Sequence, residues 1–298
     1  MKRSRKRPSA RQPAASDRPR ASAGGRPPGP PIRHKSRAEE TYHGLRACLA
    51  IFARRPEDII RVYVTAERRR DAAALLRHCA EARKGFQIVP AENIARISGS
   101  THHEGIAILA RAGRRWTLAE LLRAVESGAS TGPLLYLDGV QNPHNLGAML
   151  RTASHFGVAA ILGPRGGVPT LSPAAVRVAE GAAEFVPVCD LEQPVADLRV
   201  LKRQGFAIVA TSSHRGRSAF DASAAWGPKL VLVLGSEAEG VSPAIAAVAD
   251  ERVQIPGTGA VESLNVSVAC GILLSECRRH GSRRPAAVNA SEASRSGT

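Results

Sequence analysis

The sequence predicts an α/β protein: a C-terminal, mostly parallel sheet with helices on both faces, preceded by a smaller α/β unit. Three observations carry this expectation. From residue 134 onward, short strand-like runs alternate with stretches of helical period, as strands joined by crossovers do. Those runs are β-branched or apolar, which suits strands covered on both faces. The 298 residues are 43% hydrophobic and 23% charged, ordinary values for a chain that buries a core.

The charge is uneven. The formal net charge is +16, yet residues 1–37 hold 12 basic side chains against one acid, and residues 278–298 hold five against one. The 240 residues between them hold 25 and 24, so a near-neutral body carries two basic tails. Residues 1–37 also contain seven prolines. Like charges and proline leave nothing to pack there, so 1–37 and 281–298 read as disordered tails. The first suits phosphate backbones through counterion release; a solubilising tail is the blander alternative. The five cysteines, 48, 79, 189, 270 and 277, form no CxxC pair and are odd in number. Neither a disulfide framework nor a structural zinc is expected. No apolar run reaches the length of a membrane span, and none follows the basic N-terminus as in a secretory signal. The expectation is a cytoplasmic protein with no membrane contact.

Residues 38–115 form the small unit, with 14 basic and nine acidic side chains. His43 to Arg54 reads as a helix and Ile59 to Val64 as a strand. Arg68 to Lys84 carries Ala72, Leu75, Leu76 and Cys79 at helical spacing. Phe86–Val89 and Gly105–Leu109 read as short strands. The run Arg68-Arg69-Arg70 could touch phosphate, although such a run is more often a solvated face. Residues 116–133 read as a linker with a helical stretch. Residues 134–280 form the large unit, with strands at Leu134–Leu137, Ala159–Leu162, Phe185–Val188, Phe206–Ala210, Leu230–Leu234 and Arg252–Ile255.

In parallel sheets, ligands bind beyond the carboxyl ends of strands, and three such ends stand out. After the first comes Asn145-Leu-Gly147-Ala-Met-Leu-Arg151-Thr-Ala. Leu146, Met149, Leu150, Ala153 and Gly157 make an inward stripe; Asn145 falls at the N-cap position and Arg151 lies off the stripe. The second reads Gly235-Ser-Glu237-Ala-Glu-Gly240, where glycines around an acid permit close backbone approach to a ligand. The third runs from Ile255 through Gly257 and Gly259 to Ser263-Leu264-Asn265-Val266-Ser267. Ser263 reads there as the N-cap of a helix turning Leu264, Val268, Ile272 and Leu273 inward. This loop is neither a dinucleotide fingerprint nor a P-loop. His102-His103 is a lone pair, so no metal ligand set is expected. Taken singly, each segment is also what an ordinary cap or turn looks like.

Together the three segments resemble, in order and spacing, the three motifs of the SpoU (TrmH-like) RNA ribose 2′-O-methyltransferases of the SPOUT superfamily, over residues 134–279. The small unit, including Thr101-His-His-Glu-Gly105-Ile, is similar to that family's ribosomal-protein-like substrate-binding domain. The resemblance implies a deep trefoil knot in the C-terminal part, S-adenosylmethionine bent within it, and a homodimer formed across it. It implies that backbone groups of Gly235, Ile255 and Leu264 hold the cofactor and that loop 257–259 wraps it. It further implies that Arg151 helps deprotonate the ribose hydroxyl, with Asn145 and Glu237 shaping the pocket and Ser263 and Asn265 completing it. A guanidinium stays protonated to about pH 12. Arg151 therefore acts either as a base with a lowered pKa or as a phosphate-holding group that polarises the hydroxyl. RNA is the implied partner; the accessory domain favours rRNA over tRNA. Two other classes are the alternatives, a methyltransferase acting on a base nitrogen and a non-catalytic RNA-binding or assembly protein. The NxGxxxRTA and SLN signatures argue against the first. Retention of Arg151, Glu237 and Asn265 together argues against the second. With 11 aromatic residues in the chain, backbone charge and shape are the better grip on RNA.

Overall fold

In the computed structural model, residues 38–169, 173–221 and 226–283 are described. The segments 1–37 and 284–298, expected as tails, lie outside them. Two sheets organise the chain. The first is built from β1 (Glu39–His43), α1 (Leu45–Arg54), β2 (Ile59–Val64), α2 (Ala73–Glu81), β3 (Gly85–Ile88), α3 (Ala91–Ser98) and β4 (Ile106–Arg111). Its order is β1-β4-β2-β3, antiparallel except for the parallel β2–β3 pair. Tyr42, Val62, Val64, Leu75, Cys79 and Ile108 fill its core.

The second sheet begins inside the segment read as a linker. β5 (Trp116–Thr117) lies on its edge, and α4 (Leu118–Glu126) packs against it through the fully buried Leu121. Thr117 and Glu120 close a reciprocal capping box at the start of α4. There follow β6 (Leu134–Asp138), α5 (Pro143–Phe156), β7 (Ala160–Pro164), α6 (Pro173–Val178), β8 (Val188–Leu191) and α7 (Pro194–Arg203). The chain continues through β9 (Ala207–Thr211), β10 (Arg217–Ser218), β11 (Leu230–Gly235), α8 (Pro243–Ala246), β12 (Glu251–Gln254) and α9 (Val266–Arg283). The order is β10-β12-β9-β11-β6-β7-β8-β5, and every pair is parallel. Side chains alternate between two cores. Leu135, Leu137, Leu232 and Leu234 face α5 and α9, whereas Leu134, Tyr136, Val231 and Val233 face the opposite layer. Each fully buried aliphatic side chain contributes about 1.5–3 kcal/mol, which is why such strands need apolar residues on both faces.

Three expectations are corrected. The strand expected at Phe185–Val188 starts at Val188, because residues 182–184 make a 3-10 turn and Pro187 has no N–H to pair. The long helix expected from Arg68 is α2, shorter and preceded by a 3-10 turn at 67–69. α9 reaches Arg283, so residues 281–283 are helix rather than tail.

The two sheets share one compact unit. At the seam, α1 and β1 meet the stretch from α6 to Glu184. Val176 of α6 completes the core of the small sheet. Arg55 donates to both carboxylate oxygens of Glu184, at 2.7 and 2.8 Å, and to the carbonyl of Arg111. His43 is 1% exposed here, and neither ring nitrogen has a hydrogen-bond partner among the described residues. Burial first, then the Arg177 charge, holds its imidazole below the usual value. The unfolded chain therefore binds the proton more readily, and stability is lost as pH falls from about 6.5 through the folded value. Thermal unfolding of His43→Leu between pH 7 and 5 should show a smaller acid-induced drop than the wild type. An identical drop would remove His43 from the account.

Candidate active site

The site is assembled at the carboxyl ends of β6, β11 and β12. α5 starts one turn earlier than the sequence suggested. Asn142, not Asn145, is its N-cap, accepting the His144 N–H at 2.9 Å, and Pro143 supplies the first helical residue. Asn145 is thereby drawn one turn into the helix, where it is 8% exposed. Its Nδ2 donates to Glu237 Oε1, and its Oδ1 accepts from Asn265 Nδ2 at 3.2 Å. Asn265 Nδ2 also lies 3.2 Å from Glu237 Oε1. One residue from each of the three motifs thus joins a single hydrogen-bonded group, although they stand 92 and 120 positions from Asn145 in the chain.

Asn265 is fixed from its other side. Its Oδ1 accepts the Ser267 N–H at 2.9 Å and the Ser267 hydroxyl at 2.6 Å, so Asn265 rather than Ser263 caps α9. The inward face of α9 shifts accordingly. Val266, Cys270, Leu273, Leu274 and Cys277 are buried, whereas Leu264 is 43% and Val268 51% exposed. Both had been expected inside.

Beside this group lies a cleft of about 1360 Å³, lined by the loops after β9, β11 and β12 and by the start of α9. Gly235, Glu237, Ile255, Ser263 and Leu264 all line it. Beyond β11 the chain doubles back, with Ser236 and Gly240 exchanging backbone hydrogen bonds at 3.2 and 3.0 Å. A Cβ on Gly235 would sit 2.0 Å from the Gly240 carbonyl carbon and 2.2 Å from the Val241 nitrogen, so only glycine fits that turn. Asp138 Oδ2 accepts the Ser242 N–H at 2.7 Å and anchors the end of the loop. At the mouth, His214 Nε2 meets Glu262 Oε1 at 3.1 Å.

Arg151 is not brought to this cleft. It lies six residues beyond Asn145, about 9 Å along the helix and on another face. Its side chain is 58% exposed and pairs with Glu180 at 3.0 Å. Among the described residues no cluster of three or more His, Cys, Asp or Glu could hold a metal. Burial pushes the Cys189, Cys270 and Cys277 thiols up to about 12, 12 and 11, so they stay protonated near neutrality. Sequence reasoning missed Asp138, His214, Glu180 and Arg46. Of these only Asp138, an acid closing an apolar strand, carried a signal.

Three separated motifs thus meet at the ends of parallel strands, and comparison with known proteins identifies the family that shares this arrangement. The chain belongs to the SpoU rRNA methylase family, whose model matches residues 132–275. The model for RNA 2′-O ribose methyltransferase substrate binding matches residues 43–116. Among curated relatives, the uncharacterized tRNA/rRNA methyltransferase YfiF of Escherichia coli O157:H7 is 37% identical over 83% of this chain and 70% of its own. The 23S rRNA (guanosine-2′-O-)-methyltransferase RlmB of Ralstonia nicotianae is 36% identical over 85% of this chain and 99% of its own. The SpoU methyltransferase AviRb of Streptomyces viridochromogenes, solved with AdoMet, superposes with a TM-score of 0.65 at 19% identity. That alignment covers 81% of this chain and 90% of AviRb and speaks for the fold. No helix among the described residues is long and apolar enough to cross a membrane.

Proposed function

We propose that this protein methylates a ribose 2′-hydroxyl in ribosomal RNA, working as a homodimer with S-adenosylmethionine held in a knotted C-terminal loop. Family membership carries the reaction: the chain is an S-adenosylmethionine-dependent RNA 2′-O-methyltransferase. One observation ties that chemistry to this molecule, the meeting of Asn145, Glu237 and Asn265 beside the cleft. The cleft has room for the cofactor, and the tight Gly235 turn, packed against the Gly240 and Val241 backbone, forms one wall of it. Gly235, Ile255 and Leu264 would hold it, with residues 257–259 alongside. When bound, the cofactor supplies an electrophilic methyl group on a sulfonium.

The protein's own task is then to place the hydroxyl and ease its proton away. Glu237, with Asn145 and Asn265 on the same carboxylate oxygen, shapes the floor, and Ser263 adds a hydroxyl to the lining. Arg151 would act on the substrate ribose or its phosphate. Its distance from the cleft within one chain supports a site completed across a dimer. The exposed apolar side chains Val261, Leu264 and Val268 are what a second copy would cover. Residues 38–115 would hold the RNA and 134–280 carry the reaction, joined by 116–133. The basic segments 1–37 and 281–298 would add sequence-independent phosphate contacts. A cytoplasmic location accompanies an RNA substrate of this kind.

The test is direct. The purified full chain should bind S-adenosylmethionine by calorimetry with no metal added, and should methylate an unmodified 23S rRNA transcript at a 2′-oxygen when its modified positions are mapped. Binding that requires zinc or magnesium, or a methyl group found on a base nitrogen, would overturn the reading.

A further inference from the structure

At the seam between the two sheets, one carboxylate holds two guanidinium groups. Glu180 Oε1 lies 3.0 Å from Arg151 Nη1, and Glu180 Oε2 lies 3.0 Å from Arg46 Nη1. Arg46 belongs to α1 of the small sheet and Arg151 to α5 of the large one. The arginine side chains are 76% and 58% exposed, and Glu180 is 34% exposed between them. The backbone is bent to put the carboxylate there. Glu180 has φ 48, a left-handed conformation unfavourable for a glutamate. Gly181 follows at φ 83, so close to α1 that a Cβ would lie 2.6 Å from the Ala50 Cβ.

Two arginines converging on one anion make the arrangement by which guanidinium recognises carboxylate or phosphate. Exposed ion pairs of this kind are weak and screened by salt. An incoming phosphate can therefore take over both arginines with little opposition from Glu180. The rest of the seam, Arg55 with Glu184 and Val176 in its core, does not depend on that exchange.

We infer that Arg46 and Arg151 form a clamp across the seam for one backbone phosphate of the substrate RNA, and that Glu180 fills this clamp as an internal stand-in until RNA displaces it. The inference rests on the reading of RNA as substrate and of Arg151 as the group that meets it. It adds a ligand from the small sheet, Arg46, and a competitor, Glu180, that none of the three motifs contains. A phosphate seated there would set Arg151 at a fixed step along the RNA backbone.

The experiment is equilibrium binding of the full chain to an unmodified 23S rRNA transcript across a salt series. It compares wild type, Glu180→Gln, Arg46→Ala and the double variant. Glutamine keeps the shape of Glu180 and removes its charge, and its amide nitrogen cannot accept from the second arginine. Glu180→Gln should tighten RNA binding about three- to tenfold and steepen its salt dependence by about one counterion. Arg46→Ala should weaken binding by a similar factor, and Glu180→Gln should gain less in the Arg46→Ala background. Unchanged or weaker binding by Glu180→Gln overturns the clamp, as does an equal gain with and without Arg46. Should Glu180→Gln melt at a lower temperature than wild type, Arg46→Ala decides alone, and unchanged affinity there refutes the inference. Methylation of the same transcript by the wild type tests the underlying reading separately. An active enzyme whose Glu180→Gln form does not bind more tightly loses the clamp only.

Discussion

Arg151→Ala is expected to give a folded protein that binds S-adenosylmethionine normally and has lost methyl transfer by about 10²–10⁴-fold, the usual worth of a group that assists proton removal. Folding should survive because Leu146, Met149, Leu150 and Ala153 bury the inward face of α5, while Arg151 points away from them. Its exposed pairing with Glu180 contributes at most about 1 kcal/mol. Arg151→Lys separates the two roles open to the residue. Lysine keeps the charge and can shed a proton when desolvated, but it lacks the planar fork that grips a phosphate. Substantial activity in the lysine form, rising with pH, assigns proton removal to this position; activity as low as in the alanine form assigns positioning. Wild-type turnover in Arg151→Ala would sink both roles.

Gly235→Ala should all but eliminate cofactor binding. The added methyl would meet the backbone of Gly240 and Val241 at 2.0–2.3 Å, and backbone cannot rotate aside as a side chain can. Overpacking of this kind costs about 1–3 kcal/mol. Here the strain falls on the loop that forms one wall of the cleft. The expected loss of S-adenosylmethionine affinity by calorimetry is at least about 100-fold, equivalent to about 2.7 kcal/mol. Gly113→Ala is the control, since nothing lies within 4 Å of its Cβ position. Equal cofactor affinity in Gly235→Ala and wild type would mean that the cleft is not the cofactor site.

The central strands were legible because β6 and β11, buried on both faces, and β2, with its β-branched run, have a readable composition. β2 runs from Ile59 to Val64 as the sequence indicated, and β6 and β11 differ from expectation by one residue at their ends. Edge elements were not legible. β1 reads Glu-Glu-Thr-Tyr-His and buries only its last two residues, and β5 is two residues long. Both are specified by the neighbour they pair with rather than by a pattern of their own. The caps failed for a local reason. Asn142 and Asn145 are chemically equivalent candidates, and Pro143 was the feature that separates them, since proline belongs just inside a helix start. The same choice arose between Ser263 and Asn265.

Within the site, the three motifs were visible as segments, but their hydrogen bonds were not, because nothing local records a contact between residues 92 or more positions apart. Glu180 and Arg46 were the least visible of all. Each is one more charged residue in a chain with 42 basic and 26 acidic side chains, and Gly181 marks a turn without showing that Glu180 shares its left-handed conformation.

The seam has a bearing on how far this protein can be taken apart. Val176, from the large sheet's α6, is 2% exposed inside the small sheet's hydrophobic cluster, and Glu184 neutralises Arg55 at a point where both side chains are only 10% exposed. A fragment ending near residue 115 would bare the apolar surface that Val176 covers and leave Arg55 with Asp58 at 3.7 Å but without its two-pronged partner. The small-sheet half therefore does not close its own core without the large one. Moving it to another catalytic body would require that body to bring its own equivalents of Val176 and Glu184, so the two halves can diverge in sequence only as a matched pair.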